Sequence, residues 1–191
     1  KIIIMFCKIC LYTKINIYCY IYIYCMENSI YDFISLFALL ANIYIIYTLD
    51  PVLILGSFSC LFLHDFIKEL TTGWYAPIFK RPKGAMNCSL FNSGGLVDHK
   101  PGFPSGHVTS ISFLMNMLLL RNKDISWNKI ALYNVPIFIM GYARIMKGCH
   151  NVIQVIAGYI LGYGIANIFH SYNKDIKYGL EQIYSYFVPK K

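Results

Sequence analysis

Apolar residues dominate long stretches of the chain, and short polar breaks separate these stretches. Stretches of this length are typical of helices that cross a membrane. Asp50-Pro51 separates the first two stretches, and the polar run 121–124 separates the third from the fourth. The pattern predicts an all-α, polytopic membrane helix bundle with spans over 30–49, 52–67, 107–120, 130–143 and 152–169.

A further apolar run, residues 2–24, precedes these spans and is interrupted by Lys8 and Lys14. It is either a sixth span whose lysines reach the membrane surface or a segment foreign to the protein, since Met26 is a candidate start. The bundle therefore has five or six transmembrane helices. We divide the chain into this extra segment (1–25), a membrane domain (26–172) and a basic C-terminal tail (173–191).

The composition agrees with a membrane protein, because hydrophobic residues make up 57% of the 191 residues and charged residues only 14%. A soluble domain carries about 25% charged residues. The net charge of +8 fits basic loops beside a membrane or an anionic substrate. Nucleic acid is not an expected partner.

The seven cysteines do not predict a metal site. Cys7 and Cys10 have a metal-like spacing, but they lie in an apolar segment with no second ligand pair. Buried cysteine usually behaves as a small hydrophobic residue. Cys88 and Cys149 are predicted to lie on the same side of the membrane, and the sequence leaves open whether they form a disulfide.

The longest polar stretch, residues 71–104, ends in the sequence Pro-Ser-Gly-His at 104–107. Pro104 suits the start of a helix, and Ser105 can cap that start. Gly106 lets a ligand approach the backbone, while free N–H groups and the helix dipole favour an anion such as phosphate. His107 then lies beside the anion as a candidate proton donor. Taken alone, the tetrapeptide is equally consistent with a capped helix start.

Other basic residues lie at span ends that alternate through the membrane onto the same face. Arg81 follows the second of the five spans, Arg144 ends the fourth, and His150 precedes the fifth. Each arginine can hold phosphate oxygens in a forked geometry, and the two histidines can supply a nucleophile and an acid. Gln154 lies four residues after His150, so its side-chain oxygen can accept a hydrogen bond from the imidazole.

These motifs resemble those of a known family. Arg81-Pro82, Pro104-Ser105-Gly106-His107, and Arg144 with five residues before His150 resemble the three signature motifs of the type 2 phosphatidic acid phosphatase superfamily. That superfamily includes lipid phosphate phosphatases, glucose-6-phosphatase, polyprenyl diphosphate phosphatases and vanadium haloperoxidases. The resemblance covers roughly residues 30–170.

The resemblance implies a role for each matching residue. His150 attacks phosphorus and forms a phosphohistidine, while His107 protonates the leaving oxygen. It also implies that the phosphatase needs no metal and no other cofactor. The phosphoryl group is held by Arg81, Ser105, Gly106 and Arg144.

The first motif departs from the family pattern, which has a lysine seven residues before the arginine. Trp74 occupies that position here, and Lys68 lies further upstream by about two helical turns. Either the loop carries an insertion and Lys68 binds substrate, or Lys80 or Lys83 serves instead.

The third motif departs as well, because the family usually has aspartate where this chain has Gln154. Dolichyl diphosphatases are similar to this chain in carrying a histidine followed by glutamine at that spacing. The glutamine therefore favours a polyprenyl diphosphate as substrate. Gln154 counts with His150 and His107 among the candidate catalytic residues.

Two functions stay open. The first is an integral membrane phosphatase acting on a lipid phosphate or diphosphate. The second is an inactive relative that binds anionic lipid or scaffolds a membrane assembly. The expected partners are a phosphorylated lipid substrate and membrane lipids, with a homo-oligomer left open. If the basic tail and the loop 121–129 are cytoplasmic, the catalytic face is lumenal or extracytoplasmic.

Several other polar and small residues have simpler interpretations. His64 and Asp65 are interpreted as a polar span end rather than an acid–base pair, and Asp98-His99 as a solvated loop. Gly158 and Gly162 are four residues apart, a spacing that lets two membrane helices approach closely.

Overall fold

The computed structural model describes residues 16–74 and 76–187, which form six helices and no strand. The predicted all-α bundle is therefore confirmed for these residues. The helices are α1 (Asn16–Tyr47), α2 (Pro51–Thr71), α3 (Gly106–Leu120), α4 (Trp127–Met146), α5 (Val152–Ser171) and α6 (Asn173–Phe187).

The last part of the N-terminal run belongs to α1. Residues 16–24 continue without a break into the helix that reaches Tyr47. The remainder of that run, including Cys7 and Cys10, lies outside the described residues. At the other end, residues 173–187 of the basic tail form the amphipathic helix α6.

Three helical segments in the described part of the chain are long and apolar enough to cross a membrane: Ile30–Tyr47, Pro51–Thr71 and Val152–Ser171. Helix α3 is apolar but shorter. Helix α4 exposes a band of apolar side chains, including Leu132, Phe138 and Ile139, as expected of a lipid-facing surface. These apolar helices indicate an integral membrane protein.

Capping residues explain where several helices begin. Asp50 accepts hydrogen bonds from the N–H groups of Val52 and Leu53 at the start of α2. Asn151 forms a reciprocal capping box with Gln154 at the start of α5. These caps satisfy backbone donors that have no acceptor within the helix.

The start of α3 differs from the prediction. Helix α3 begins at Gly106, so Pro104 lies before the N-cap and not in the first turn. Ser105 is at the N-cap, but its hydroxyl makes no capping hydrogen bond. The hydroxyl of Ser105 is buried and finds no partner among the described residues. Its predicted capping role is therefore wrong.

Helix α3 lies at the centre of the bundle and packs against α1, α2, α4 and α5. Its closest neighbour is α5, because two glycines of α5 let the backbones meet. A methyl group on Gly158 would lie 2.6 Å from the carbonyl oxygen of Ser105, and one on Gly162 would lie 2.4 Å from that of Thr109. The predicted close helix contact is confirmed.

The connections alternate between the two ends of the bundle. The α2–α3 loop and the α4–α5 loop share one end, while α6 and the α1–α2 and α3–α4 connections share the other. At that second end Asp50 pairs with Arg121 at 2.9 Å and with Lys177 at 4.0 Å. The pairing joins the α1–α2 turn to the end of α3 and to α6.

Candidate active site

A cavity of about 220 Å³ lies at the end of the bundle that carries the α2–α3 and α4–α5 loops. Residues far apart in the sequence line it, and most of the polar ones are cationic or imidazole groups. A site of this character favours an anionic ligand. These lining groups are Lys68, Arg81, His64, His107 and His150.

The α2–α3 loop doubles back to carry Arg81 to this cavity. The N–H of Arg81 donates to the carbonyl of Lys100 at 2.8 Å, and the N–H of Gly102 donates to that of Phe79 at 2.8 Å. Gly102 is required here, because a methyl group on it would lie 2.8 Å from Gln154 Oε1 and 2.9 Å from Arg81 Cγ. The paired segments bring Arg81 beside the start of α3.

The Gln154 side chain defines the orientation of the His150 ring. Its Nε2 donates to the carbonyls of Ile78 at 2.9 Å and Lys80 at 2.8 Å, which directs Oε1 towards His150. His150 Nδ1 lies 3.0 Å from that oxygen. An amide oxygen can only accept, so Nδ1 carries the proton and Nε2 keeps its lone pair. The predicted contact is therefore present.

His150 lines the cavity, and its Nε2 atom lies beside Arg81. Arg81 Nη1 lies 3.4 Å from Nε2 and donates to the carbonyl of Cys149 at 3.1 Å. The imidazole is 2% exposed. Burial lowers its pKa well below the ordinary value, and the nearby charges of Arg81 and Arg144 lower it further. His150 is therefore a neutral base or nucleophile at neutral pH.

His107 occupies the first turn of α3 and lines the cavity. Its Nε2 is buried and has no hydrogen-bond partner within the described part of the chain. Neighbouring N–H groups in this first turn have no acceptor within the helix. An imidazole and free backbone donors therefore converge where an anion would be stabilised by the helix terminus.

His64 of α2 packs directly against the start of α3. A methyl group on Gly106 would lie 2.6 Å from His64 Nε2, so glycine is required at this position. His64 Nδ1 lies 2.8 Å from the carbonyl of Leu61, and Nε2 lies 3.2 Å from Asp65 Oδ1. The ring thus joins α2 to the helix terminus that faces the cavity.

Arg144 is fully buried and is not among the residues that line the cavity. Its Nη1 donates to Ser35 Oγ at 2.9 Å, and its Nη2 donates to the carbonyl of Cys88 at 2.7 Å. The remaining Nε is buried and unpartnered among the residues described. The forked contact with phosphate expected for Arg144 stays a prediction, because a guanidinium has five N–H groups and these two contacts use only two of them.

A family comparison now identifies the architecture. The sequence model of the PAP2 superfamily matches residues 52–178, which is more than half of the chain. The chain belongs to the PAP2 superfamily. Membership supports a phosphatase-type function and a lipid as the substrate of a membrane-embedded member. No solved structure matches the chain significantly.

The PAP2 match includes all of the predicted site residues. The cavity brings together Lys68, Arg81, Gly106, His107 and His150, while Ser105, Arg144 and Gln154 lie immediately behind it. Lys80 contributes its carbonyl to Gln154, and its side chain is not part of the described lining. Lys68, and not Lys80 or Lys83, is therefore the lysine at the cavity of this PAP2 chain.

Sequence reasoning missed some features of the PAP2 site. His64 was interpreted as a polar span end, yet it lines the cavity with Lys68. The two are four residues apart and share a helix face, which was an available signal. Ser35 gave no such signal, because its contact with Arg144 spans 109 positions. Cys88 and Cys149 form the disulfide that the sequence left open.

No group of three or more histidine, cysteine, aspartate or glutamate residues that could hold a metal ion occurs among the described residues. The side chains that line this PAP2 site and those directly behind it supply several reactive groups. They offer a neutral imidazole, a second imidazole, buried arginines, a lysine and a helix N-terminus.

Proposed function

We propose that this chain is an integral membrane phosphatase that hydrolyses a lipid phosphate or a polyprenyl diphosphate through a phosphohistidine at His150. One observation carries the proposal. Gln154 holds Nδ1 of His150 at 3.0 Å, while the ring lines a cavity that also contains Arg81 and His107. A nucleophile of defined tautomer, a cation and a candidate acid thus share one small space.

In the first step, Nε2 of His150 attacks phosphorus, and the bond between phosphorus and the leaving oxygen breaks. His107 donates its proton to that oxygen, which leaves as an alcohol from a monoester or as a lipid monophosphate from a diphosphate. The phosphoryl group supplies the negative charge that favours the protonated form of His107 before transfer. Gln154 holds the proton on Nδ1 while positive charge develops on the ring.

In the second step, neutral His107 accepts a proton from water, whose oxygen attacks the phosphohistidine. The bond between phosphorus and nitrogen breaks, and inorganic phosphate leaves. Arg81, Lys68 and the N–H groups at the start of α3 stabilise the phosphoryl oxygens in both steps. The buried Nε of Arg144 is a further donor behind the site.

The position of the cavity supports a lipid substrate. It lies at one end of apolar helices, so a lipid can keep its chains in the bilayer while its phosphate enters. The resemblance of the His150–Gln154 spacing to dolichyl diphosphatases favours a polyprenyl diphosphate within this class.

The catalytic face is proposed to be lumenal or extracytoplasmic. Basic residues at the opposite end, including Arg121, Lys123 and Lys177, fit a cytoplasmic location. The catalytic face itself is basic, so charge alone is a weak guide. The Cys88–Cys149 disulfide supports the assignment, because disulfides persist in oxidising compartments.

The test is phosphate release by the full chain in lipid nanodiscs, with a panel of lipid phosphates and polyprenyl diphosphates and a chelator present. We expect turnover of at least one lipid by the parent and none by His150→Ala. His99→Ala is the matched control, because that imidazole lies exposed in the loop and outside the cavity. Release by His150→Ala at the parent rate would overturn the proposed mechanism.

The inactive-relative hypothesis has one specific observation in its favour. Both terminal nitrogens of Arg144 bind protein acceptors, and Arg144 is not among the residues that line the cavity. Orthovanadate binding measured beside the lipid panel distinguishes the alternatives, because a lipid-binding relative would bind the anion and release no phosphate, whereas a phosphatase would do both.

A further inference from the structure

The Cys88–Cys149 disulfide connects the two loops that form the cavity. Cys88 belongs to the α2–α3 loop, and Cys149 immediately precedes His150 in the α4–α5 loop. The two residues are 61 positions apart in sequence, and their Cα atoms are 5.6 Å apart. Both are buried, with exposed fractions of 4% and 0%. The bond therefore lies within the wall of the site.

Each half of the disulfide holds one arginine through its main chain. The carbonyl of Cys88 accepts a hydrogen bond from Arg144 Nη2 at 2.7 Å. The carbonyl of Cys149 accepts one from Arg81 Nη1 at 3.1 Å. Charge-assisted hydrogen bonds of this kind are stronger than neutral ones and help to fix the orientation of each guanidinium group.

Hydrogen bonds and the disulfide connect Arg144, Cys88 and Cys149 in a closed ring of contacts beside His150. The carbonyl of Arg144 accepts hydrogen bonds from the N–H groups of Cys149 at 3.0 Å and His150 at 3.3 Å. The Arg144 side chain returns to Cys88, which is bonded through sulfur to Cys149. The covalent bond thus links the two main-chain segments that contact Arg81 and Arg144 beside His150.

We propose that the Cys88–Cys149 disulfide is a positioning element for both arginines, so that the anion site is fully assembled only when this bond is formed. The inference rests on the proposed phosphatase function and deepens it, since it makes anion affinity and turnover depend on an oxidised cysteine pair. Without the bond, the carbonyls of Cys88 and Cys149 can separate. The two arginines that they hold are then no longer fixed relative to each other. A displacement of about 1 Å in such a site costs roughly 10²-fold in rate.

The redox chemistry is balanced by a dithiol reductant. Each disulfide sulfur gains one electron and one proton and becomes a thiol, while the dithiol is oxidised to its own cyclic disulfide. Because both cysteines are buried, a reductant reaches the bond less readily than substitution removes it. Substitution and reduction are therefore both applied to the full chain.

The experiment compares the oxidised parent, the dithiol-reduced parent and the Cys88→Ser/Cys149→Ser double variant in nanodiscs. Orthovanadate affinity, kcat and KM are measured at a temperature where melting curves show each sample to be folded. Cys60→Ala is the matched control, since Cys60 is a buried free cysteine of α2 that does not line the cavity.

We expect the double variant to bind orthovanadate roughly 10- to 100-fold more weakly and to lose kcat/KM by a similar factor. The reduced parent should behave in the same way and recover on reoxidation, whereas dithiol should leave the double variant unchanged. If the double variant does not fold, the reduced parent provides the same comparison.

A merely structural bond would lower the melting temperature while leaving the orthovanadate affinity of the folded protein unchanged, and that result would overturn the inference. Failure of the parent to bind orthovanadate would overturn it as well. If the oxidised parent binds orthovanadate but hydrolyses no lipid, the phosphatase proposal fails. A weaker affinity without the disulfide would then still support the positioning role.

Discussion

The amide oxygen of Gln154 lies 3.0 Å from Nδ1 of His150, and the amide nitrogen of the same side chain binds two loop carbonyls. One glutamine thus determines both the tautomer of the imidazole and the position of the loop that carries Arg81. The residue is completely buried, so all of these contacts are shielded from solvent.

Gln154→Ala should lower kcat by roughly 10- to 100-fold with little change in KM, because the imidazole loses its orientation in the transition state. Steady-state kinetics on the best lipid substrate provides the measurement. We expect Gln154→Asp, which is shorter, and Gln154→Glu, which is isosteric, to be slower than the parent as well. A carboxylate cannot donate to the carbonyls of Ile78 and Lys80. An aspartate or glutamate variant faster than the parent would contradict this explanation.

His107→Ala should slow the hydrolysis of natural lipid phosphates but spare slow attack on aryl phosphates. A leaving group of low pKa needs little protonation, whereas a lipid alkoxide needs an acid worth about 10²–10⁴-fold in rate. The measurement compares kcat for the two substrate types in parent and variant. Equal losses on both substrates would show that His107 acts in some other way.

Acid should destabilise the protein through His150. Its pKa in the folded protein lies well below 6.5, first because of burial and then because of Arg81, Arg144 and His107. The unfolded chain therefore binds this proton at a higher pH than the folded protein does. The stability contributed by the neutral ring is complete above pH 6.5 and is lost as the pH falls from 6.5 towards the folded pKa.

Two measurements check the pH dependence. Imidazole ¹⁵N NMR should show a neutral ring with the proton on Nδ1 at pH 6. Melting temperature should fall more steeply between pH 7 and 5 for the parent than for His150→Gln, which lacks the titrating ring. A ring already charged at pH 6 would contradict the assignment.

The orientation of the chain should be visible by cysteine labelling. Lys83→Cys lies in the catalytic loop and Lys123→Cys in the α3–α4 connection at the other end, and both side chains are exposed. An impermeant maleimide applied from the lumenal or external side should label position 83 and leave position 123 unmodified. The reverse pattern would place the catalytic face in the cytoplasm.

Gly162→Ala should destabilise the bundle by about 1–3 kcal/mol, the usual cost of overpacking a tight contact. The added methyl would lie 2.4 Å from the Thr109 carbonyl oxygen and 2.7 Å from Ser112 Cβ. Gly164→Ala is the matched control on the same helix, because a methyl there meets nothing described within 4 Å. Unfolding in detergent should separate the two variants, and equal stability would show that the α3–α5 contact adapts.

The sequence by itself determined the features that depend on local pattern. Apolar runs located the helices from α1 to α5, because burial in lipid requires long apolar segments. A spacing of four residues predicted the contact between His150 and Gln154, since such residues share a helix face. The order of the motifs identified the family and placed Arg81 and His150 at the same end.

The tertiary structure decided what depends on contacts between distant segments. Lys68 reaches the cavity because α2 continues to Thr71 and the following loop folds back beside it. Arg144 is held behind the cavity because Ser35 Oγ and the Cys88 carbonyl accept hydrogen bonds from its two terminal nitrogens. Neither outcome has a local periodicity that could be read from sequence, since both depend on how separate helices and loops meet.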